Sequence, residues 1–377
     1  MKIVFTGGGS GGHFYPIIAV VQKVNQIIDN EHIIGAKLYY FSDSPYDKEM
    51  LVENRLLYEE IKTGKMRAYF SFRNFFDIFK IFFGSITAIF KIFSIYPSVV
   101  FGKGGYASFP TVFAARILRI PVLIHESDSV PGRVNLWAGH FATKVAVSFA
   151  EATVYFPKKN VAWTGQPIKT EIEHRSARKE ALEYFKLEEK IPVIVVLGGS
   201  QGAELINNIV LDALPILIKN YQIIHQTGIK KFKTVSGQAN VILAENKYGI
   251  KYLLFPFLNS LQMKMAAGAA TIIISRAGAS SLFEIASWNV PSIIIPITKS
   301  NGNHQRNNAF SYARAGACNV IEEANMTANI LISEIERIVE DKRIYEKMSQ
   351  NAKAFNKQGA AEKIARVLVD IALSHEK

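Results

Sequence analysis

Along the chain, short apolar runs alternate with longer segments in which hydrophobic positions recur at helical spacing. Several runs are almost wholly apolar, such as residues 193–197 and 271–274, which is typical of strands covered by helices on both faces. The segments predicted as strands are residues 3–6, 37–41, 99–101, 121–125, 144–147, 161–163, 193–197, 222–226, 252–255, 271–275 and 292–296. Strands that alternate with helices predict an α/β fold with doubly wound parallel sheets.

The same strand–loop pattern occurs twice. An apolar strand runs into a glycine-rich loop at residues 7–12, and again at residues 198–202. With 377 residues of which 49% are hydrophobic, the chain can form two cores. We therefore predict two Rossmann-like domains facing across a cleft, residues 1–164 and 165–355, joined near Pro167. Helical periodicity over residues 345–372 predicts a C-terminal helix, of which about residues 356–377 pack back on the first domain.

Net charge narrows the class of partner, and cysteine content narrows the kinds of structural site. The formal net charge is +12, which favours an anionic partner such as nucleic acid, acidic lipid or a phosphorylated substrate. Seven basic residues and one acid, Asp77, lie between Lys62 and Lys103. This segment is also rich in phenylalanine, which argues against a nucleic-acid partner. The single cysteine, Cys318, excludes a disulfide framework and a cysteine-based zinc site.

Residues 68–96 have two interpretations, a buried helix pair or a surface that touches a bilayer or a lipid tail. An apolar stripe at helical spacing consists of Phe79, Phe82, Phe83, Ile86 and Phe90. The surrounding basic residues are Lys62, Lys65, Arg67, Arg73, Lys80 and Lys91. Basic residues around an apolar helix face are typical of binding to an anionic membrane surface. Because lysines interrupt every apolar run before the ~20 residues of a span, no membrane-spanning helix is predicted.

Three loops of the first half carry candidate chemistry. The glycines at 7–12 allow backbone N–H groups to approach an anion, and His13 follows them at a predicted helix start. Residues 102–110 and the segment from His125 to Asp128 each follow a strand, so all three loops lie at one sheet edge. His125 and Asp128 fit either a base with its orienting carboxylate or a structural hydrogen-bond cluster. His13 fits a ligand-facing or a packing role.

Three loops of the second half complete the pattern. Residues 198–203 form a turn that can hold an anion, although the spacing of NAD-binding proteins and the lysine of P-loop proteins are absent. Residues 275–284 pass from a strand through small residues into a helix, where Glu284 can accept from a ribose diol or be solvated. Residues 301–308 are rich in amides suited to sugar hydroxyls, or to capping a helix. Together these loops predict a nucleotide-binding cleft.

Seven motifs in this order resemble the MurG family, and the resemblance covers nearly the whole chain. They are Gly-Gly-Ser-Gly-Gly-His13, Gly-Gly-Tyr106, His-Glu-Ser-Asp128, Thr-Gly-Gln-Pro167, Gly-Gly-Ser-Gln-Gly-Ala203, Ser-Arg-Ala-Gly-Ala-Ser-Ser-Leu-Phe-Glu284 and Asn-His-Gln305. Members are bacterial UDP-N-acetylglucosamine:N-acetylmuramyl-(pentapeptide) pyrophosphoryl-undecaprenol N-acetylglucosamine transferases. The resemblance implies a GT-B fold and inverting transfer of N-acetylglucosamine from UDP-GlcNAc to the muramyl 4-hydroxyl of lipid I, at the cytoplasmic membrane face.

The resemblance also implies roles for individual residues. The donor-binding residues it implies are Ser10, Gly11, Gly12, Asp128, Lys169, Ser200, Leu258, Ala279, Ser280, Ser281, Leu282, Phe283, Glu284 and Gln305. The acceptor pyrophosphate is expected at Gly104, Gly105 and Tyr106. His13 is the preferred catalytic base, with Asp128 or His125 as competitors. Family members often have Asn where this chain has Asp128 and Arg where it has Lys169, which alters the donors available at both positions.

Two rival functions remain open, and neither requires a cofactor. The first is another GT-B lipid glycosyltransferase with a diacylglycerol-type acceptor, which would share the donor half. The second is a non-catalytic membrane scaffold that binds a sugar nucleotide; the presence of His13, Ser200 and Glu284 argues against it. No Asp-x-Asp motif is present to hold a metal ion, and neither a metal nor a nucleic-acid partner is expected.

Overall fold

A computed structural model describes residues 1–65, 72–199, 202–244, 252–298 and 301–374. The chain divides into two compact units. The first unit contains Met1–Lys169 and Lys357–Lys377, and the second contains Thr170–Asn356. Each unit has a parallel sheet with helices between successive strands, as the alternating sequence pattern predicts.

The first unit has a seven-stranded parallel sheet in the order β3-β2-β1-β4-β5-β6-β7. Its strands are β1 Lys2–Thr6, β2 Lys37–Ser42, β3 Leu56–Glu60, β4 Val99–Gly102, β5 Val122–Glu126, β6 Lys144–Val147 and β7 Val161–Trp163. Its helices are α1 Gly11–Asn30, α2 Lys48–Glu53, α3 Phe72–Ile95, α4 Phe109–Ile117, α5 Arg133–Gly139 and the C-terminal α15 Ala360–Ser374. One core lies between the sheet, α1 and α15, where Ile364, Ala365 and Leu368 are buried.

The second unit has a six-stranded parallel sheet in the order β10-β9-β8-β11-β12-β13. Its strands are β8 Val193–Leu197, β9 Gln222–Gln226, β10 Tyr252–Phe255, β11 Ile272–Ser275, β12 Ser292–Ile294 and β13 Asn319–Val320. Its helices are α6 Thr170–Glu173, α7 Arg178–Phe185, α8 Glu204–Leu217, α9 Phe232–Leu243, α10 Ser260–Ala269, α11 Ala279–Trp288, α12 His304–Arg314, α13 Ala328–Glu340 and α14 Lys342–Phe355. The continuous apolar runs of β8 and β11 are buried, as the sequence predicts.

All the predicted strands are present, but two edge strands and one helix break were missed. The sequence did not predict β3, whose Leu-Leu-Tyr-Glu-Glu lacks clear alternation, or β13, which has two residues. The predicted helix over residues 345–372 is two helices, α14 and α15, separated at Gly359, where φ is +72°. The α14 helix ends at Phe355, and Gly359 lies immediately before α15, where glycine adopts this left-handed conformation without the penalty of a Cβ atom.

Among its described residues, the phenylalanine-rich segment contains one helix, so the alternative interpretation as a buried helix pair is wrong. Within α3, Ala88 and Ile92 are fully buried, while Phe82 and Phe83 are 59% and 62% exposed. Gly84 lies on the inner face, where a Cβ atom would come within 2.0 Å of the Lys62 carbonyl oxygen. The helix therefore packs closely on the unit along one side and leaves aromatic rings in solvent along the other.

The prediction that no helix could span a membrane is also wrong as far as length and composition are concerned, because one helix meets both criteria. Residues Phe75–Ile95 form a helical segment of 21 residues with a mean hydropathy of 1.8, of which 22% is buried. However, α3 connects β3 to β4, and both strands run parallel in the same sheet. A crossover helix must return along that sheet, so the connectivity places α3 on the sheet rather than away from it.

Candidate active site

Two glycine-rich loops meet at the switch point of the first sheet. Strands β1 and β4 are neighbours there, and their chain connections lead to opposite sides of the sheet. A Cβ atom on Gly105, which follows β4, would lie 3.1 Å from Nε2 of His13 in the first turn of α1. Open parallel sheets bind ligands at the carboxyl ends of strands beside a switch point. The fold thus brings the predicted base next to the predicted acceptor loop.

The start of α1 offers backbone donors to an anion. Ser10 precedes the helix in an extended conformation, and its side chain makes no capping hydrogen bond. Gly11 and Gly12 are the first two helical residues, and helix N–H groups at this position lack partners within the helix. A Cβ atom on Gly11 would lie 2.8 Å from the Tyr46 hydroxyl oxygen, so any side chain here would displace the end of the Tyr46 side chain. The three predicted residues Ser10, Gly11 and Gly12 therefore form one helix N-terminus.

Tyr106 is fixed against the first loop. Its ring lies beside Gly9, where a Cβ atom would come within 2.7 Å of Tyr106 Cε1. Its hydroxyl donates to Asp43 Oδ2 at 2.6 Å. Burial and the hydrogen bond to Asp43 raise the pKa of Tyr106 to about 12, so its hydroxyl stays protonated near neutral pH.

The neighbouring glycine is held by a carboxylate-centred cluster. Gly104 has a φ of +81°, and a Cβ atom there would lie 2.8 Å from Asn135 Nδ2. That nitrogen donates to Glu126 Oε2 at 2.9 Å, and the backbone N–H of Asp128 donates to Glu126 Oε1 at 2.9 Å. Glu126 therefore connects the loop containing Asp128 to the loop containing Gly104. Sequence reasoning missed both Glu126 and Asn135.

His125 is part of a buried hydrogen-bond network. Its side chain is 0% exposed, and its Nε2 lies 3.2 Å from the Gly165 carbonyl oxygen, which accepts from it. Burial, and secondarily the nearby Lys103 ammonium, lower the pKa of His125 well below its ordinary value. A neutral, enclosed imidazole suits a structural role better than contact with substrate.

Lys103 is a buried cation beneath the same loop. It is 1% exposed, and its Nζ donates to Ser127 Oγ, which in turn donates to Gln166 Oε1 at 2.8 Å. Burial lowers the pKa of Lys103 to about 8, although the Glu126 and Asp128 carboxylates oppose this shift. A lysine between Gly102 and Gly104 was visible in the sequence, but nothing in that pattern distinguished a buried cation from a solvated one.

Asp128 and Lys169 occupy different surroundings in the first unit. Asp128 is half-buried near the Lys103 ammonium. Lys169 is buried, and its Nζ lies 4.8 Å from the centroid of the Tyr15 ring. The same Tyr15 ring borders Gly11, so Lys169 lies close to the start of α1.

The second sheet has its own switch point, between β8 and β11. The loop after β8 contains Gly198, where a Cβ atom would lie 2.9 Å from the Gln226 carbonyl oxygen. It also contains Gly202, which has a φ of +77°. A Cβ atom on Gly202 would lie 2.6 Å from the Thr227 carbonyl oxygen. The predicted diphosphate contact Ser200 lies outside the described residues. Gly198 and Gly202, on either side of Ser200, both lie too close to neighbouring backbone carbonyls for a side chain, so both positions require glycine.

The loop after β11 leads directly into α11. Ala279 is its first residue, followed by the half-buried Ser280 and Ser281. Leu282 and Phe283 are 0% exposed, so only their backbone can face a ligand, and the Leu282 N–H already donates to Gly278 O at 3.0 Å. These residues thus provide a helix N-terminus at the switch point. Glu284 is half-buried in the following turn of the helix.

Leu258 and Gln305 lie on two other loops of this sheet edge. Leu258 is 2% exposed, and its backbone N–H donates to Gln226 Oε1 at 3.1 Å. Gln305 belongs to the first turn of α12, and its Oε1 accepts from the Ile297 N–H at 3.1 Å. That bond fixes the Gln305 side chain above the loop that follows β12. Sequence reasoning missed Gln226.

An ion pair supports the α11 and α12 loops. Arg276 NH1 lies 2.7 Å from Glu323 Oε1 and donates to the Ile295 carbonyl at 3.2 Å. Glu323 Oε2 accepts from the Thr298 N–H at 2.9 Å. Sequence reasoning missed this pair because 46 positions separate the two residues along the chain.

Acid is expected to destabilise the second unit through His225. This side chain is fully buried; its Nε2 donates to Asn207 Oδ1 at 3.0 Å, and its Nδ1 accepts from the Tyr252 hydroxyl at 2.8 Å. Burial lowers its pKa from 6.5 to about 3. Between these values the unfolded chain binds a proton that the folded chain does not, so the free energy of unfolding falls as pH decreases, by up to ~1.4 kcal/mol per pH unit.

Urea unfolding at several pH values measures this effect. The variant His225→Gln cannot titrate, so its unfolding free energy should depend less steeply on pH between 6.5 and 3 than that of wild type. Equal slopes for the two proteins would contradict the assignment.

Within the described ranges, no group of three or more His, Cys, Asp or Glu side chains is arranged to hold a metal ion. The donors at both switch points are backbone N–H groups, hydroxyls, amides and lysines. Such groups suit anionic and sugar ligands.

Comparison with known proteins identifies the family. Residues 3–147 match the model of the glycosyltransferase family 28 N-terminal domain, and residues 193–364 match that of the family 28 C-terminal domain. A UDP-N-acetylglucosamine--N-acetylmuramyl-(pentapeptide) pyrophosphoryl-undecaprenol N-acetylglucosamine transferase of Bacillus thuringiensis (strain Al Hakam) is 36% identical over 345 residues, which cover 91% of this chain and 93% of the relative. A similarly named transferase of Clostridium kluyveri is 35% identical, covering 97% and 98% of the two chains.

The chain belongs to the MurG family. The resemblance found in the seven sequence motifs is therefore confirmed, and the chain is a glycosyltransferase.

Solved structures show the fold of this MurG-family chain. Acinetobacter baumannii MurG has a TM-score of 0.74 at 23% identity and covers 98% of this chain and 99% of its own. A UDP-GlcNAc 2-epimerase of Neisseria meningitidis has a TM-score of 0.66 at 15% identity, with 98% and 100% covered. The predicted GT-B fold is thus confirmed. Because an epimerase shares it, the fold alone does not select the reaction.

Proposed function

We propose that this chain transfers N-acetylglucosamine from UDP-GlcNAc to the 4-hydroxyl of N-acetylmuramic acid in lipid I, forming lipid II of peptidoglycan synthesis with inversion at the anomeric carbon. The observation that carries the proposal is family membership over more than nine-tenths of the chain, with four of the seven motifs on switch-point loops of the two sheets.

We assign binding of the UDP-GlcNAc donor to the second unit. The N-terminus of α11, from Ala279 to Ser281, offers N–H groups and a partial positive charge to the diphosphate, together with the loop around Ser200. Glu284 accepts from the two ribose hydroxyls, and the Leu258 backbone meets uracil. Gln305 reads the donor sugar. The half-burial of Glu284 supports this role, since a partly desolvated carboxylate makes stronger charge-assisted hydrogen bonds.

We assign binding of the lipid acceptor, and the catalytic base, to the first unit. The acceptor pyrophosphate binds at Gly104, Gly105 and Tyr106, and Ser10, Gly11 and Gly12 at the α1 N-terminus contribute to donor binding. His13 removes the proton of the acceptor hydroxyl while that oxygen bonds to the anomeric carbon, and the bond from that carbon to UDP breaks. The contact between His13 and Gly105 supports this choice, since it puts the base beside the acceptor loop.

The competitors for the base are less well supported. The complete burial and neutral state of His125 disfavour it. Asp128 remains the alternative base, or a nucleotide-sugar contact together with Lys169.

The outer face of α3 is assigned to the anionic inner leaflet of the cytoplasmic membrane, as a peripheral contact. Exposed rings such as Phe79, Phe82 and Phe83 support this role. Lys80 is 62% exposed and adds positive charge, although its Nζ lies 3.6 Å from Asp77 Oδ1. Lys91 contributes less charge than the sequence suggests, because its Nζ lies 2.5 Å from Glu59 Oε2. The acceptor's polyprenyl chain would remain in the bilayer while its pyrophosphate reaches the first unit.

Incubation with UDP-GlcNAc and a short-chain lipid I analogue tests the proposal. The disaccharide product should form and be detectable by mass spectrometry, and diacylglycerol should not replace the acceptor. Transfer to diacylglycerol instead of lipid I would favour the rival lipid glycosyltransferase. UDP-GlcNAc binding without transfer to either acceptor would favour the scaffold.

Glu284→Ala is expected to raise the donor KM by roughly 10- to 150-fold. The change leaves two ribose hydroxyls without their charged partner, which costs about 1.5–3 kcal/mol. Steady-state kinetics with varied UDP-GlcNAc measure it, and Glu189→Ala, at an exposed carboxylate of the same unit, is the control. An unchanged donor KM and UDP affinity would rule out this role for Glu284.

A further inference from the structure

Gln226 occupies the point where two donor-side loops come together. It is the last residue of β9, which lies between β8 and β10 in the sheet, and it is only 3% exposed. The register aligns it with Leu197 of β8 and Phe255 of β10, so the loops that follow these two strands leave the sheet on either side of it.

Each loop is bonded to a different acceptor of this one residue. The backbone carbonyl of Gln226 accepts from the Gly198 N–H at 3.1 Å, at the start of the glycine loop after β8. Its side-chain Oε1 accepts from the Leu258 N–H at 3.1 Å, in the loop after β10. The carbonyl is also the atom that prevents any side chain at Gly198.

The strand end itself is anchored, so Gln226 is a fixed reference for both loops. Asn207 of α8 donates to the Thr227 carbonyl at 3.0 Å, and the Thr227 N–H donates to the Phe255 carbonyl at 2.9 Å. On the other side of Gln226, His225 donates to the same Asn207 side chain. A buried residue that is bonded to both of its neighbouring loops transmits small shifts between them.

We propose that Gln226 is a positioning residue for donor recognition, which fixes the Leu258 peptide for reading the nucleobase and couples that loop to the diphosphate loop at Gly198. The inference rests on the proposed function, which assigns uracil to Leu258 and the diphosphate to the glycine loop. The bond from the Leu258 N–H to Gln226 restrains this residue, whose carbonyl can accept the N3–H of uracil but gains no hydrogen bond from the unprotonated N3 of cytosine.

Gln226→Met tests the role by removing the acceptor at nearly constant side-chain volume. The ratio of UDP to CDP affinity, measured by calorimetry, should fall by about tenfold or more, as expected when a buried N–H loses its partner. The KM for UDP-GlcNAc should rise, while kcat at saturating donor stays within about threefold of wild type, because the residue acts on donor binding.

Gln222→Met is a matched control on the same strand. Gln222 is 2% exposed, lies at the opposite end of β9 and bonds to the backbone of Glu188 and Ile191. Its replacement should lower thermal stability without changing the UDP to CDP ratio. A general loss of stability is thereby separated from a loss of base recognition.

Hydrogen exchange of the wild-type protein gives a second measurement that needs no variant. Inorganic pyrophosphate alone should slow exchange in the peptide containing Leu258, and uridine alone should slow exchange at Gly198. Protection of only the directly occupied loop by each ligand would overturn the coupling, and an unchanged UDP to CDP ratio in folded Gln226→Met would overturn the positioning role. If the wild type itself does not prefer UDP to CDP, the proposed uridine donor fails as well.

Discussion

Replacing His13 with alanine is expected to lower kcat by about 10²- to 10⁴-fold, the usual contribution of a general base. The expectation follows from the position of the imidazole, whose Nε2 lies against Gly105 of the acceptor loop in the first turn of α1. Loss of the base slows the chemical step but leaves both binding loops in place. The KM values for donor and acceptor should therefore change much less than kcat.

Two further variants make this result specific to His13. His174→Ala, at an exposed histidine of the second unit, should retain wild-type kcat. Asp128→Asn removes a carboxylate that could act as the base and keeps the side-chain shape. It therefore tests the rival assignment of the base to Asp128. A His13→Ala enzyme with nearly full kcat, together with an inactive Asp128→Asn enzyme, would transfer the role of the base to Asp128.

The strands that line both sites could be predicted because their burial on two faces leaves a continuous apolar run. Strand β8, Val193–Leu197, matches the predicted bounds in full and ends at a loop with glycine. By contrast, β3 pairs with only one neighbouring strand and its Leu57 is 50% exposed, so its sequence carries little apolar signal.

The candidate site was predictable where a loop must have glycine and not where distant side chains support it. At Gly198 a Cβ atom would lie 2.9 Å from the Gln226 carbonyl oxygen, and Gly105 has a φ of +79°, so both positions favour glycine and can be recognised in the sequence. Gln226 itself acts through a bond to Leu258, 32 positions away. No local spacing encodes such a contact, because it depends on which strands become neighbours.

The role of the α3 surface could not be decided from periodicity alone, because apolar residues occur on both sides of the helix. Ala88 and Ile92 face the core, whereas larger rings such as Phe90 and Phe93 face outward. The structure separates the two sides by residue size as well as position. Small residues permit close packing on α4 and the Lys62 loop, which leaves the phenylalanines as the surplus apolar surface.

The double variant Phe82→Ser/Phe83→Ser is expected to release the protein from anionic vesicles. These rings are 59% and 62% exposed, so their removal costs the fold little. Burial of each ring in a bilayer contributes about 1.5–3 kcal/mol, so losing both should weaken partitioning by roughly 10²- to 10⁴-fold. Liposome co-sedimentation measures this. Higher salt should weaken wild-type binding as well, because exposed lysines such as Lys80 interact with the anionic surface through screened charges.

A matched control is available in the second unit, where Ile229 and Val241 are 66% and 77% exposed. Ile229→Ser/Val241→Ser removes comparably exposed apolar side chains away from α3 and should sediment with vesicles as the wild type does. Circular dichroism and thermal melting establish that both double variants remain folded. Because the rings lie outside the core, unfolding of the Phe82/Phe83 variant would contradict the surface assignment, and so would wild-type protein that ignores anionic vesicles at low salt. Equal release by the control variant would show that binding depends on general hydrophobicity rather than on α3.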